Sequence, residues 1–138
     1  MRSKKQSVAK PPEGTVFFID RSLGVDPIRA ELVKAGLVVE IHDDHFNRDE
    51  EDRVWLATAG GRGWVVLTKD QKLRYRPLEI EALRASKARV FVLTAANLRG
   101  VEIGAVFLAA LPKMCKVLEN VPGPFVARVS KSGKLTMA

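Results

Sequence analysis

Asp20 closes the apolar run Val16-Phe17-Phe18-Ile19, and Asp70 follows the run Trp64-Val65-Val66-Leu67 by way of Thr68 and Lys69. A third run, Leu37 to Ile41, leads into His42-Asp43-Asp44-His45, and a fourth, Val90 to Leu93, leads into Thr94. Carboxylates at the ends of buried strands suit two kinds of chemistry. Each acid can make a turn hydrogen bond for itself. Alternatively, three or four of them share a site, where they repel one another unless a cation sits between them. Hard oxygen donors favour Mg2+ or Mn2+ over zinc. One or two such ions activate water and stabilise the charge that develops on a phosphoryl group under in-line attack.

The acids are unevenly spread. Residues 40–53 hold Glu40, Asp43, Asp44, Asp49, Glu50, Glu51 and Asp52, seven of the 16 acids, in a chain of net charge +7. Residues 69–89 carry seven Lys or Arg against three acids. An acidic site in a basic body suits a protein that holds a divalent metal and binds a polyanion around it. Lys69, Lys72, Arg74 and Arg76 follow the third run and are candidates to hold phosphates, the alternative being a solvated basic loop. Tyr75, between two of them, can stack on a base. Asp49, Glu50, Glu51 and Asp52 lie near a helix start, where capping and the helix dipole account for acids taken singly. Only their joint placement with Asp20 and Asp70 argues for a site.

Other chemistries lack parts. His42 and His45 would need a third imidazole or thiolate to make a zinc site. The chain has no other histidine, and its one cysteine, Cys115, sits among apolar residues at helical spacing. There is no phosphate loop, no GxGxxG and no serine-centred nucleophile elbow. Trp55 and Trp64 read as core.

These residues need elements to position them. The spacing predicts strands over 16–19, 37–41, 64–67, 90–93 and 125–129, the last at an edge. It predicts helices over 25–35, 52–60, 77–86 and 99–118, with Asp26 as a cap, Pro27 in the first turn and Gly36 at the end of the first helix. Pro112 should kink or split the last helix. Strand and helix alternate, which predicts an α/β fold with a mostly parallel five-stranded sheet between two helical layers. All carboxyl ends of such a sheet lie along one edge, where ligands bind. Asp20, Asp44, Asp70 and Thr94 then share that edge, and Asp52 leans over it from the next helix.

With 138 residues, 46% hydrophobic and 28% charged, the chain is expected to form one domain over residues 15–130. A flexible basic segment over 1–14 precedes it and a loose tail over 131–138 follows. No apolar run reaches the ~20 residues of a membrane helix. The basic start has no apolar stretch behind it to make a secretory signal. One cysteine excludes an internal disulfide, and the expectation is a cytoplasmic protein.

The segments FFIDRSLG, VEIHDDHF, DRVWL, GWVVLTKDQKLRYRPLE, FVLT, LPKM and GPFVARV run in this order across residues 16–129. Together they resemble the PIN-like domains grouped with VapC-type toxins. The resemblance implies an α/β/α sandwich and metal-dependent RNA cleavage, with Mg2+ or Mn2+ held by a cluster of acids and a 5′-phosphate and 3′-hydroxyl as products. It also implies an antitoxin partner, and dimerisation is common in the family. On the matching positions it makes Asp20 and Asp70 direct metal ligands, Asp52 a ligand directly or through water, and Asp44 a fourth acid able to orient the attacking water. Glu79 falls on a recurrent family position. Arg21, Glu79 and Thr94 are supporting candidates. Arg21 follows the first acid directly, and Glu31 is the one glutamate in the first helix.

Two rival readings use the same residues. A phosphoacceptor receiver also has five strand–helix units and would use Asp20, Asp70, Thr94 and Lys131. Receivers usually pair two acids after the first strand, however, and have no use for the acidic stretch at 43–52. A non-enzymatic module would use the basic flanks to bind RNA or an acidic protein, with structural carboxylates. The nuclease ranks first, the binding module second and the receiver third.

Overall fold

A computed structural model describes residues 10–138, without the side chain of Arg74. Most of the lead-in expected over residues 1–14 therefore lies outside the described residues. Val16–Ile19 (β1), Val38–Ile41 (β2), Val65–Thr68 (β3), Arg89–Leu93 (β4) and Phe125–Val129 (β5) are short runs rich in branched and aromatic residues. They pair in parallel in the order β2-β1-β3-β4-β5. Ile28–Lys34 (α1), Asp52–Gly61 (α2), Pro77–Ser86 (α3) and Gly100–Asn120 (α4) connect them.

Strand side chains alternate between faces, and here both faces are covered, so the strands read as unbroken apolar runs. Phe17, Ile19, Val65, Leu67, Phe91 and Leu93 face α1 and α4, where Ile28, Leu32, Ile103 and Phe107 complete one core. Phe18, Val66, Val90 and Val92 face α2 and α3, where Trp55, Leu56 and Leu83 complete the other. The expected three-layer α/β/α arrangement is what forms.

The same alternation aims the strand ends. Asp20, two residues beyond Phe18, and Thr68, two beyond Val66, both fall on the α2/α3 side. The chain leaves β1 to form β2 on one side and crosses back to form β3 on the other. The carboxyl ends of β1 and β3 therefore flank the point where the connections diverge, the usual ligand crevice of such sheets.

Three details depart from the sequence reading. The tail is not loose: Leu135–Met137 (β6) pairs antiparallel with β5, so the sheet has a sixth strand and β5 is not its edge. The turn over Ser130–Lys134 explains this. Gly133 adopts φ +83°, its N–H bonds Ser130 O at 2.8 Å, and Leu135 packs against the α4 core. Pro112 does not split α4, which runs unbroken from Gly100 to Asn120. Pro112 lies on the exposed side, where water can satisfy the carbonyl it leaves without a donor, while Leu111, Met114 and Cys115 are buried around it. Finally, α1 begins at Ile28 and not at residue 25, so Pro27 holds the N-cap position instead of the first turn, and Asp26, one residue earlier, accepts from Ala30 N–H at 3.3 Å. Among the described residues no helix is long and apolar enough to cross a membrane.

Gly60 lets α2 approach α3. A Cβ there would collide with Ser86 Oγ and lie 2.6 Å from Ser86 Cβ. Gly60→Ala is expected to lose about 1–3 kcal/mol of stability through this overpacking, read as a lower urea midpoint. An unchanged midpoint would show that the two helices separate freely.

Candidate active site

Asp20 is 6% exposed, and one of its oxygens is tied to the scaffold. Oδ2 accepts from Ser22 Oγ and from Thr68 Oγ1, each at 2.7 Å. Those hydroxyls accept in turn from the backbone N–H groups of Lys69 (3.1 Å) and Asp70 (3.0 Å). Two short relays therefore run from the exit of β3 to the carboxylate at the end of β1. Among the described residues nothing hydrogen-bonds the other oxygen, Oδ1. Burial raises the Asp20 pKa most, the charge of Asp52 adds to the rise, and the Thr68 and Ser22 hydroxyls oppose it. Ser22 escaped the sequence reading, although its place two residues after a strand-ending aspartate was a signal for such a bond.

Asp52 opens α2, one turn before Trp55. This spacing puts both on one helix face, and Trp55 Nε1 donates to Asp52 Oδ1 at 2.9 Å. Capping does not explain the acids here: Glu51 occupies the N-cap position without a side-chain cap bond, and it pairs with Arg53 instead. Asp70 does cap. Its Oδ1 accepts from Lys72 N–H at 3.0 Å at the start of the 3-10 turn Gln71–Arg74.

The second oxygens of Asp52 and Asp70 meet one guanidinium. Arg76 Nη1 lies 2.9 Å from Asp52 Oδ2, and Nη2 lies 2.7 Å from Asp70 Oδ2. Nη1 also reaches Glu79 Oε1 at 3.4 Å. Bonds to Asp70 and then Asp52 hold the Arg76 proton more tightly than usual. Arg76 is thus a counter-ion inside the acidic cluster, not a member of an open basic loop. Glu79 joins the cluster through it.

The other candidates stand apart. Asp44 is exposed and makes no hydrogen bond or ion pair among the described residues. Its neighbour Asp43 pairs with Arg21 at 3.0 Å and with His42 Nδ1 at 2.9 Å, and the His42 bond, ahead of Arg21, holds its pKa down. Arg21 also donates to Arg48 O at 3.1 Å, so it braces the loop after β2. His45 bonds Glu40 at 2.6 Å. Thr94 bonds Val129 O at 3.3 Å and ties β4 to β5. Lys69 and Lys72 are exposed beside the cluster. Arg74 holds its place in the turn, but its side chain is outside the described structure.

The donor set suits a hard divalent cation. Asp20, Asp52 and Asp70 each have one oxygen anchored and one left for the site, and a cation already stands between two of them. That cation is Arg76. Among the described residues no three His, Cys, Asp or Glu side chains group closely enough to hold a metal ion.

Comparison with known proteins identifies the family. The profile of the family described as "PIN like domain" matches residues 15–95. A Mycobacterium tuberculosis protein named "Putative ribonuclease VapC45" is 27% identical over 120 residues, covering 84% of this chain and 86% of its own length. No solved structure matches.

Because the Asp20 pKa is raised, its contribution to the stability of metal-free protein is fully present below the unfolded-state pKa and is lost as pH rises through the folded-state value. Asp20→Asn in EDTA is therefore expected to raise the unfolding midpoint at neutral pH, with the gap closing as pH falls. Thr68→Val, which removes a donor from the buried carboxylate, is expected to cost about 1–3 kcal/mol at neutral pH and less in acid. Thermal melts across pH check both signs.

Proposed function

Because the chain belongs to the PIN-like domain family, we propose that it is a metal-dependent endoribonuclease, the toxin of a toxin–antitoxin pair, acting in the cytoplasm on RNA. One observation supports this reading: acids at the end of β1, after β3 and at the start of α2 lie on the α2/α3 side of the sheet, each with one oxygen anchored by the scaffold, and Asp52 and Asp70 share the Arg76 guanidinium. The similarity to a protein named as a ribonuclease supports RNA as the substrate class.

Asp20, Asp70 and Asp52 are the residues that would hold Mg2+ or Mn2+, which supplies an activated water and offsets charge on the scissile phosphate. The chain's own part is positioning. Ser22 and Thr68 set the rotamer of Asp20, the Trp55 indole sets that of Asp52, and the Lys72 N–H sets that of Asp70. Rotamers locked in this way keep donors in place without reorganisation during the reaction. Lys69 and Lys72 stand exposed at the rim to hold phosphates on either side of the scissile bond, with Arg74 as a third candidate. Phosphate contacts of this kind make binding salt-dependent. Asp44 is kept as a candidate for orienting water only if its loop moves toward the cluster. Hydrolysis of this class leaves a 5′-phosphate and a 3′-hydroxyl.

A second reading rests on Arg76. A PIN-like module whose acids are neutralised by its own arginine would bind RNA or an acidic protein without cutting.

Labelled total RNA incubated with wild type and with Asp20→Asn/Asp70→Asn, in Mg2+, Mn2+ or EDTA, separates the two. Cleavage is expected from wild type with metal only, falling at least about 100-fold in the double variant. Intact RNA under every metal, together with salt-sensitive RNA binding by the folded protein, would establish the module instead.

A further inference from the structure

The side chain of Arg76 occupies the unanchored oxygen of two acids. Asp52 Oδ1 is committed to Trp55 Nε1 and Asp70 Oδ1 to the Lys72 N–H, so each has one oxygen left for the site. Both of those oxygens bond the same guanidinium. A divalent ion held by the same two acids would compete with that guanidinium for their oxygens. Like charges in close approach repel each other. The cluster therefore has room for one cation at a time.

Arg76 is also built to leave. Its backbone is fixed at the start of α3, with its N–H bonded to Lys72 O at 3.2 Å and its carbonyl accepting from Ile80 N–H at 2.9 Å. Its side chain is 37% exposed and stands at the rim, not in either core. All three ion-pair partners of the guanidinium are carboxylates. Asp52 and Asp70 are the two that a metal would take. Glu79, one turn into α3 and 14% exposed, is outside the proposed ligand set and remains as a resting partner. A swing of one side chain thus exchanges one cation for another without moving an element.

We propose that Arg76 and a divalent metal ion are mutually exclusive occupants of the Asp52–Asp70 pair, so that metal binding requires the Arg76 guanidinium to swing out of the site. The inference rests on the metal-dependent reading above and deepens it. Arg76 is the counter-ion that lets the metal-free protein keep Asp52 and Asp70 together. It also sets a threshold of metal concentration below which the site stays closed.

The test reads metal binding, not activity. Mn2+ is titrated into wild type and Arg76→Gln, and free Mn2+ is followed by electron paramagnetic resonance. Exclusion predicts binding about tenfold or more tighter in Arg76→Gln, because a competing positive charge has gone. It also predicts that Mn2+ raises the thermal midpoint of the variant more than that of wild type. Since Arg76→Gln leaves acids unpaired and could fold poorly without metal, a second measurement uses wild type alone. The Arg76 guanidinium NMR signals are expected to exchange slowly with water in EDTA and fast in saturating Mg2+. Equal or weaker Mn2+ binding by the variant, or slow exchange that persists with Mg2+ bound, overturns the exclusion and leaves the metal-dependent reading standing. Absence of metal binding by both proteins overturns that reading as well.

Discussion

A parallel sheet delivers the carboxyl end of every strand to one edge, and this constraint brings distant acids together here. Asp20 and Thr68 are 48 residues apart, yet the register that pairs Ile19 with Leu67 sets them side by side. Period-two alternation then decides which layer they address. Phe18 and Val66 face α2 and α3, so the next residues of the same parity, Asp20 and Thr68, do so too. The start of α2 supplies Asp52 and the start of α3 supplies Arg76 on that same side. The site lies in the crevice between β1 and β3 because the chain turns one way after β1 and arrives from the other at β3.

Within that frame, charge balance shapes the details. Three carboxylates, Asp52, Asp70 and Glu79, surround one guanidinium, and Asp20 stands beside them without an ion pair among the described residues. The scaffold spends a separate donor on one oxygen of each aspartate: two hydroxyls for Asp20, an indole for Asp52 and a backbone amide for Asp70. These donors limit repulsion and fix geometry together. They also explain residues without a direct chemical role. Trp55 fills the core under α2 while its indole N–H orients Asp52. Ser22 and Thr68 carry the hydrogen bonds that let a carboxylate be buried at all.

Much of this was legible in the sequence, and the limits have physical causes. Unbroken apolar runs bounded by polar residues announced buried parallel strands, and the strand-end acids followed from topology without any long-range information. The pairing of Asp52 with Trp55 could be read from helical spacing. The tail strand was hidden because Leu135–Met137 is only three residues long and gains its order from β5 and α4, which no local pattern reports. Pro112 does not split its helix because its turn faces water, which the sequence alone does not report. Arg76 was read as one of four similar basic residues, since only the tertiary fold distinguishes it from exposed Lys69 and Lys72. Asp43 and Asp44 are adjacent and alike in sequence, and the position of Arg21 decides which one is tied down.

The balance between stability and chemistry centres on Asp20. Its Oδ2 accepts two hydroxyl donors, yet burial and the charge of Asp52 still outweigh them and leave the carboxyl harder to ionise than usual. Arg76 neutralises Asp52 and Asp70 but makes no bond to Asp20, so the deepest acid of the cluster has no ion-pair partner among the described residues. A fold optimised for stability alone would place a neutral residue at the end of β1, where Asp20 is 6% exposed. A buried carboxylate with one oxygen unbonded among the described residues is destabilising where it stands. A local conflict of this kind, between what the strand end needs and what it carries, marks functional sites in otherwise consistent folds.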